Sequence, residues 1–195
     1  MTDSVMWASY RNRIASILSE LVVTDCTGAE VPVDDAFAQW VAKATGMAAG
    51  GALHLVGNGA SASMASHFSA DITKNCGIRA NVFTDVALIT ALGNDNGFEN
   101  VFAVALNRYA MKGDLLIAVS SSGNSPNIVA VCREAMSLGV HIVTVTGKKP
   151  DNAVRRMGWL NFYVPAESFS LAESAHAVIL HHWTDLLEDA RKDIL

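Results

Sequence analysis

Between Asp114 and Asn127 the chain reads D-L-L-I-A-V-S-S-S-G-N-S-P-N, with hydroxyl groups crowding its second half. Ser120, Ser121, Ser122 and Ser125 can hydrogen-bond phosphate oxygens without adding charge. The elements that must hold them are legible on either side. Leu115 to Val119 is an apolar run long enough for a buried strand and too short for a helix. Ser125 followed by Pro126 has the form of a helix N-cap with proline at the first helical position, and Ile128 to Leu138 continues at amphipathic spacing. Such a strand, turn and helix point free N–H groups back at the turn, where an anion is favoured. One serine in a loop would carry no such meaning; four beside Gly123 predict a phosphate cradle.

A second loop, Gly57-Asn58-Gly59-Ala60-Ser61-Ala62, follows the apolar stretch Ala52 to Val56 and fits G-x-G-x-x-A, with Asp85 beyond the next predicted strand. That is the outline of a dinucleotide fingerprint. A pyrophosphate-binding unit has no need of a second, hydroxyl-rich loop, and Asn58 and Ser61 suit sugar hydroxyls better, so no nucleotide cofactor is expected. His67 and Asp71, four apart on the helix that follows, share one face. They could form an N–H to carboxylate pair or supply two ligands to zinc. The final helix carries Glu173, His176, His181 and His182. Ser170-x-x-Glu173 reads as a capping box, and His181 and His182 cannot both face the core.

The bounds agree with a small-molecule enzyme or binding module. At 195 residues the chain is one domain with enough material for a core. Apolar residues make up 51% and charged residues 17%, which excludes disorder and leaves surface to bury between subunits. Net charge is −5, with no basic cluster stronger than Lys148-Lys149 and Arg155-Arg156, against nucleic acid as a ligand. No apolar run reaches the ~18 to 20 residues of a membrane span, and Met1 to Ser4 carry no basic, apolar leader. Cys26, Cys76 and Cys132 are scattered and odd in number, as expected of reduced thiols in a cytoplasmic protein.

Helical spacing covers 4–22 and 34–48, with 24–32 as a polar connector, before any predicted strand. Strands at 52–56, 80–83, 115–119, 141–145 and 159–164 then alternate with helices at about 60–74, 86–92, 98–111, 126–138 and 170–191. The polar turn Gly93 to Gly97 separates two of these helices. The expectation is a three-layer α/β/α domain with a five-stranded parallel sheet and an N-terminal helical extension. Ligands of such sheets sit at the carboxyl ends of the strands, where both loops lie.

The residues G-N-G-A-S-A-S-M-A-S-H at 57–67, Gly93-Asn94-Asp95, and V-S-S-S-G-N-S-P-N at 119–127 resemble the sugar isomerase (SIS) domain, with its flavodoxin-like fold. Within it they are similar to the phosphoheptose isomerase family, which interconverts sedoheptulose 7-phosphate and D-glycero-D-manno-heptose 7-phosphate. The likeness runs from about residue 50 onward. It implies that Ser120, Ser121, Ser122 and Ser125 hold the phosphate. Asn58, Gly59 and Ala60, with Asn94, Asp95 and Glu173, would line the sugar. The family's zinc and catalytic positions fall on His67, Asp71, Glu173 and His181. A homotetramer with sites at subunit contacts is implied as well. Two positions depart: Asp71 stands where the family has glutamate, and Glu173 where it has glutamine. Eight residues of helix rise about 12 Å, so Glu173 and His181 meet one ion only if long side chains converge or two subunits contribute.

The expected function is enediol isomerisation of a phosphorylated sugar for heptose precursor synthesis, with Asp71 as base, His181 as acid and zinc polarising the oxygens. The alternatives are an isomerase of another phosphosugar, or a non-catalytic module that binds a sugar phosphate or a protein, as DnaA-binding relatives do.

Overall fold

In the computed structural model, residues 6–47 and 49–192 are described. A six-stranded sheet runs β1-β6-β5-β4-β2-β3. Its strands are β1 (Val22–Asp25), β2 (Leu53–Val56), β3 (Ala80–Val82), β4 (Leu115–Ser120), β5 (His141–Gly147) and β6 (Leu160–Val164). All neighbours pair in parallel except β1, which lies antiparallel to β6 with Val22 opposite Tyr163. The five parallel strands are those anticipated; β1 is the correction. Helical spacing ends at Val22 and the polar connector begins at Thr24, so the β-branched run Val22-Val23-Thr24 lies at their junction. It instead forms an edge strand, which a bridge from Thr24 to Glu30 folds back as a hairpin.

Both sheet faces are covered, and β4 shows why its sequence is apolar throughout. Leu115, Ile117 and Val119 point into one core with α1 (Trp7–Ser19), α2 (Val33–Thr45), α3 (Ala60–Cys76) and α7 (Phe169–Arg191). Leu116 and Ala118 point into the other with α5 (Val101–Tyr109) and α6 (Pro126–Leu138). Alternating side chains thus meet an apolar layer on either side, as a doubly covered parallel strand requires. The N-terminal helices pack on the sheet: Trp40 of α2 and Trp183 of α7 stack with ring centroids 4.2 Å apart, both fully buried. The sequence-derived bounds of these helices included Val5 and Ala48, which lie outside the described residues.

Gly93 to Asn96 do not form the anticipated turn. They are the last turn of α4 (Val86–Asn96), with the break after Gly97 and a 3-10 turn at Phe98–Asn100. The capping box is also displaced. Ser168, with Oγ accepting from Leu171 N at 3.2 Å, caps α7, and Ser170 lies inside the helix. Strand order reverses between β4 and β2, one chain path running outward to β5 and β6 and the other to β3. Open sheets hold their ligands at such a point, and both glycine- and serine-rich loops emerge there.

Candidate active site

β4 buries its apolar length and delivers Ser120 and Ser121, each almost wholly enclosed, to the carboxyl edge of the sheet. The loop then turns tightly. Gly123 N donates to the Ser120 carbonyl at 3.1 Å and to its Oγ at 3.2 Å. Asn124 N donates to Ser122 Oγ at 3.3 Å. Gly123 adopts φ +63°, and a Cβ there would sit 2.0 Å from Asn152 Oδ1, so two constraints select glycine. Ser125 occupies the N-cap of α6 with Pro126 after it, as its sequence indicates. Its hydroxyl makes no capping bond and stays free for a ligand.

The β2–α3 loop closes the opposite side. A Cβ on Gly57 would come within 2.6 Å of the Ser61 carbonyl, so the loop turns in contact with the first residues of α3. Asn58 and Asn127 exchange two amide hydrogen bonds, of 2.8 and 2.9 Å, clamping this loop to the N-terminus of α6. Asn58, Ser61, Ser120, Ser121, Ser122 and Ser125 together line a cavity of about 110 Å³, roofed by Phe169 and Glu173 from α7. Five serine hydroxyls and a helix N-terminus give this cavity the neutral donors that an anion can accept from. Asn127 and Phe169 were not singled out in the sequence. Asn127 reads as an ordinary residue of the first helical turn, and its partner is 69 positions away. Lys148 adjoins the seat, with Nζ 3.8 Å from the centroid of the Phe169 ring. Its backbone is left-handed at φ +62°, uncommon for a residue with a side chain.

The anticipated acid/base residues form a separate group. His67 Nε2 lies 3.2 Å from Asp71 Oδ2 on α3. The His181 ring of α7 lies 5.6 Å from that of His67 and 4.7 Å from Phe68. Asp71 is partly buried, while His67 and His181 face solvent. Along the helix axes His67 and Asp71 stand about 9 and 15 Å beyond Ser61, and His181 about 12 Å beyond Glu173.

The fourfold ligand set expected for zinc is therefore divided within one chain. Glu173 belongs to the serine cavity; His67, Asp71 and His181 belong to the outer face of α3 and α7. Among the described residues no three His, Cys, Asp or Glu side chains are placed to hold one ion, so a single chain does not fit the metal. Gly59 and Ala60 stand exposed at the start of α3 and do not line the cavity. Asn94 and Asp95 are exposed on α4 and bonded to each other at 2.7 Å, away from the serine cavity.

His176, one turn beyond Glu173, is fully buried with neither ring nitrogen hydrogen-bonded. Burial pushes its pKa down to about 4, so the imidazole is neutral. His54 is also fully buried, with Nε2 3.0 Å from Asp114 Oδ2, and burial again lowers its pKa. That pair ties β2 to β4 away from the cavity: Asp114 also accepts from Ala52 N and Met111 N.

Known proteins resemble this chain in sequence and in fold. The SIS domain family matches residues 9–147. Phosphoheptose isomerase of Burkholderia pseudomallei is 35% identical over 148 residues, covering 73% of this chain and 75% of that protein. The protein of the same name from Geobacter sp. (strain M21) is 32% identical over 146 residues, covering 72% and 76%. A solved phosphoheptose isomerase structure from Francisella tularensis superposes with a TM-score of 0.82 at 26% identity, covering 97% of this chain and all of that one. With a serine-lined cavity at the switch point of its sheet, this chain belongs to the SIS domain family, among the phosphoheptose isomerases.

Proposed function

We propose that the chain isomerises D-sedoheptulose 7-phosphate to D-glycero-D-manno-heptose 7-phosphate through an enediol. The observation that carries this is the spacing between the anion seat and the acid/base group. From phosphorus to the carbonyl carbon, an extended seven-carbon sugar 7-phosphate spans about 9 Å. The axial separation is of the same order, about 15 Å from Ser61 to Asp71 along α3 and about 12 Å from Glu173 to His181 along α7, and the Asp71 carboxylate reaches back to within 3.2 Å of His67. A triose phosphate is too short to occupy both. The curated relatives carry the name of this activity.

With the phosphate against Ser120 to Ser125, the reacting carbons lie toward Asp71 and His181. Asp71 removes the proton from C1 of the ketose, and the electron pair forms the C1–C2 double bond of the enediol. His181 gives its proton to the C2 oxygen and accepts the proton of the C1 hydroxyl. Asp71 returns a proton to C2, leaving the aldehyde at C1.

Because His67 and His181 face solvent, the reacting carbons need a cover to exclude water. We place that cover in a second copy of the chain within a homotetramer. Exposed Trp7, Val86, Phe98, Phe169 and Val178 supply apolar contact area for assembly. Among the described residues no helix is long and apolar enough to cross a membrane, consistent with work on a dissolved metabolite in the cytoplasm.

The test is a series of aldose and ketose phosphates of three to seven carbons, with wild type, Asp71→Asn and His181→Ala. Turnover should concentrate on the seven-carbon pair, and each variant should lose about 10²- to 10⁴-fold in kcat with unchanged Tm. Equal rates on triose and heptose phosphates would overturn the spacing argument. A near wild-type rate in either variant would remove that residue's role. The shorter Asp71 favours one other reading, a sugar-phosphate binder without catalysis; saturable binding with no turnover of any phosphosugar would establish it.

A further inference from the structure

A second polar cavity, of about 440 Å³, lies at the far edge of the sheet between the β1 hairpin and the 3-10 turn Ala153–Arg156. Its wall includes Thr24, Cys26, Thr27 and Gly28 on one side and Arg155 and Arg156 on the other. It has about four times the volume of the serine cavity and falls within the size range of small-molecule sites. None of its residues takes part in the proposed isomerisation.

Three observations point to an anion here. First, neither arginine forms an ion pair among the described residues, so two adjacent guanidinium groups border one cavity without a carboxylate partner. Second, Arg155 is held in place. Its Nη1 donates to the Pro150 carbonyl at 2.8 Å and its guanidinium lies 4.2 Å from the centroid of the Tyr163 ring, leaving its other N–H groups available. Third, Thr24 lines the cavity with only 8% of its surface exposed, and its hydroxyl has no hydrogen-bond partner among the described residues. Among the described residues the neighbouring acid forms no ion pair with either arginine; Asp25 Oδ1 accepts from Thr27 N, Thr27 Oγ1 and Ala29 N within its own turn.

We propose that this cavity binds a phosphate-bearing small molecule. Its phosphate is received by the forked donors of Arg155 and Arg156 and by the Thr24 hydroxyl, and the remaining volume takes the organic part of the ligand. Paired guanidinium forks match phosphate oxygens in number and plane, and a hydroxyl adds a neutral donor. The proposal is independent of the isomerase function.

Cys26 lines the same cavity as an exposed thiol, while Cys76 and Cys132 are buried, so its alkylation reports occupancy. The experiment treats the full chain with iodoacetamide, with and without inorganic phosphate at ionic strength held constant with chloride, and follows Cys26 by mass spectrometry. Phosphate at about ten times its dissociation constant should slow alkylation about tenfold, since only the free protein reacts. Protection should vanish in Arg155→Gln/Arg156→Gln and in Arg156→Gln alone, an exposed position whose change spares the fold. It should persist in Ser122→Ala/Ser125→Ala, which damages only the other cavity. Alkylation indifferent to phosphate in wild type would overturn the proposal, as would protection that survives both arginine variants or that disappears with the serines.

Discussion

Replacing Gly123 by alanine attacks the proposed phosphate seat at its tightest point. The residue sits at φ +63°, where a Cβ costs about 1–2 kcal/mol in backbone energy. The new methyl would lie 2.0 Å from Asn152 Oδ1 and 2.2 Å from its Cγ, far inside contact distance. Asn152 cannot swing away freely. It is buried, its Nδ2 donates to the Lys149 carbonyl at 2.9 Å and to Thr146 Oγ1 at 3.3 Å, and its Oδ1 accepts from Arg155 N at 3.1 Å. Losing two or three such bonds costs about 1 kcal/mol each. The total is about 3–5 kcal/mol, a large part of a domain's stability, unless the serine loop moves instead. If it moves, the hydroxyls leave their places and phosphate binding weakens about tenfold for each 1.4 kcal/mol lost. Urea unfolding and steady-state kinetics with sedoheptulose 7-phosphate divide the cost between the two outcomes. We expect a stability loss in that range, or a smaller loss with KM raised at least about tenfold. A Gly123→Ala protein with wild-type stability and wild-type KM would refute the reasoning.

Two further perturbations test neighbouring parts of the account. Asn127→Ala removes both bonds of the amide clamp, at about 2 kcal/mol of stability. It should raise KM more than it lowers kcat, because the clamp positions the seat and not the proton-transfer groups; the reverse split in steady-state kinetics would contradict that role. Stability should also fall with acidification. His176 has a folded pKa of about 4, below the ordinary 6.5, so the unfolded chain takes up its proton first as pH drops. Its contribution is fully present above about pH 6.5 and is lost toward pH 4, to a total of about 3 kcal/mol. Burial of His54 acts in the same direction. Urea midpoints across this range should decline, and His176→Leu should flatten the slope; an unchanged slope in that variant would show that His176 takes up its proton equally in the folded and unfolded states.

What the sequence disclosed depended on how local the cause was. The apolar run of β4, the Ser125-Pro126 helix start and the five parallel strands are set by neighbouring residues, and they stand as anticipated. β1 was missed because four residues form a strand only when β6 offers an edge. Gly93 to Asn96 have turn-forming composition but continue α4, tertiary context overriding propensity. The cavity's chemistry was visible in the serines, whereas the Asn58–Asn127 clamp joins loops 69 positions apart and left no local trace. Spacing along α7 alone already separated Glu173 from His181, and the structure assigns them to different groups.

The central claim is enediol chemistry on a seven-carbon sugar phosphate. Its most direct measurement is NMR of sedoheptulose 7-phosphate with the protein in deuterated water. The account predicts a growing aldose signal whose C2 carries deuterium delivered from solvent, with both lost in Asp71→Asn. Sedoheptulose 7-phosphate that binds yet gains no deuterium and yields no aldose would contradict it.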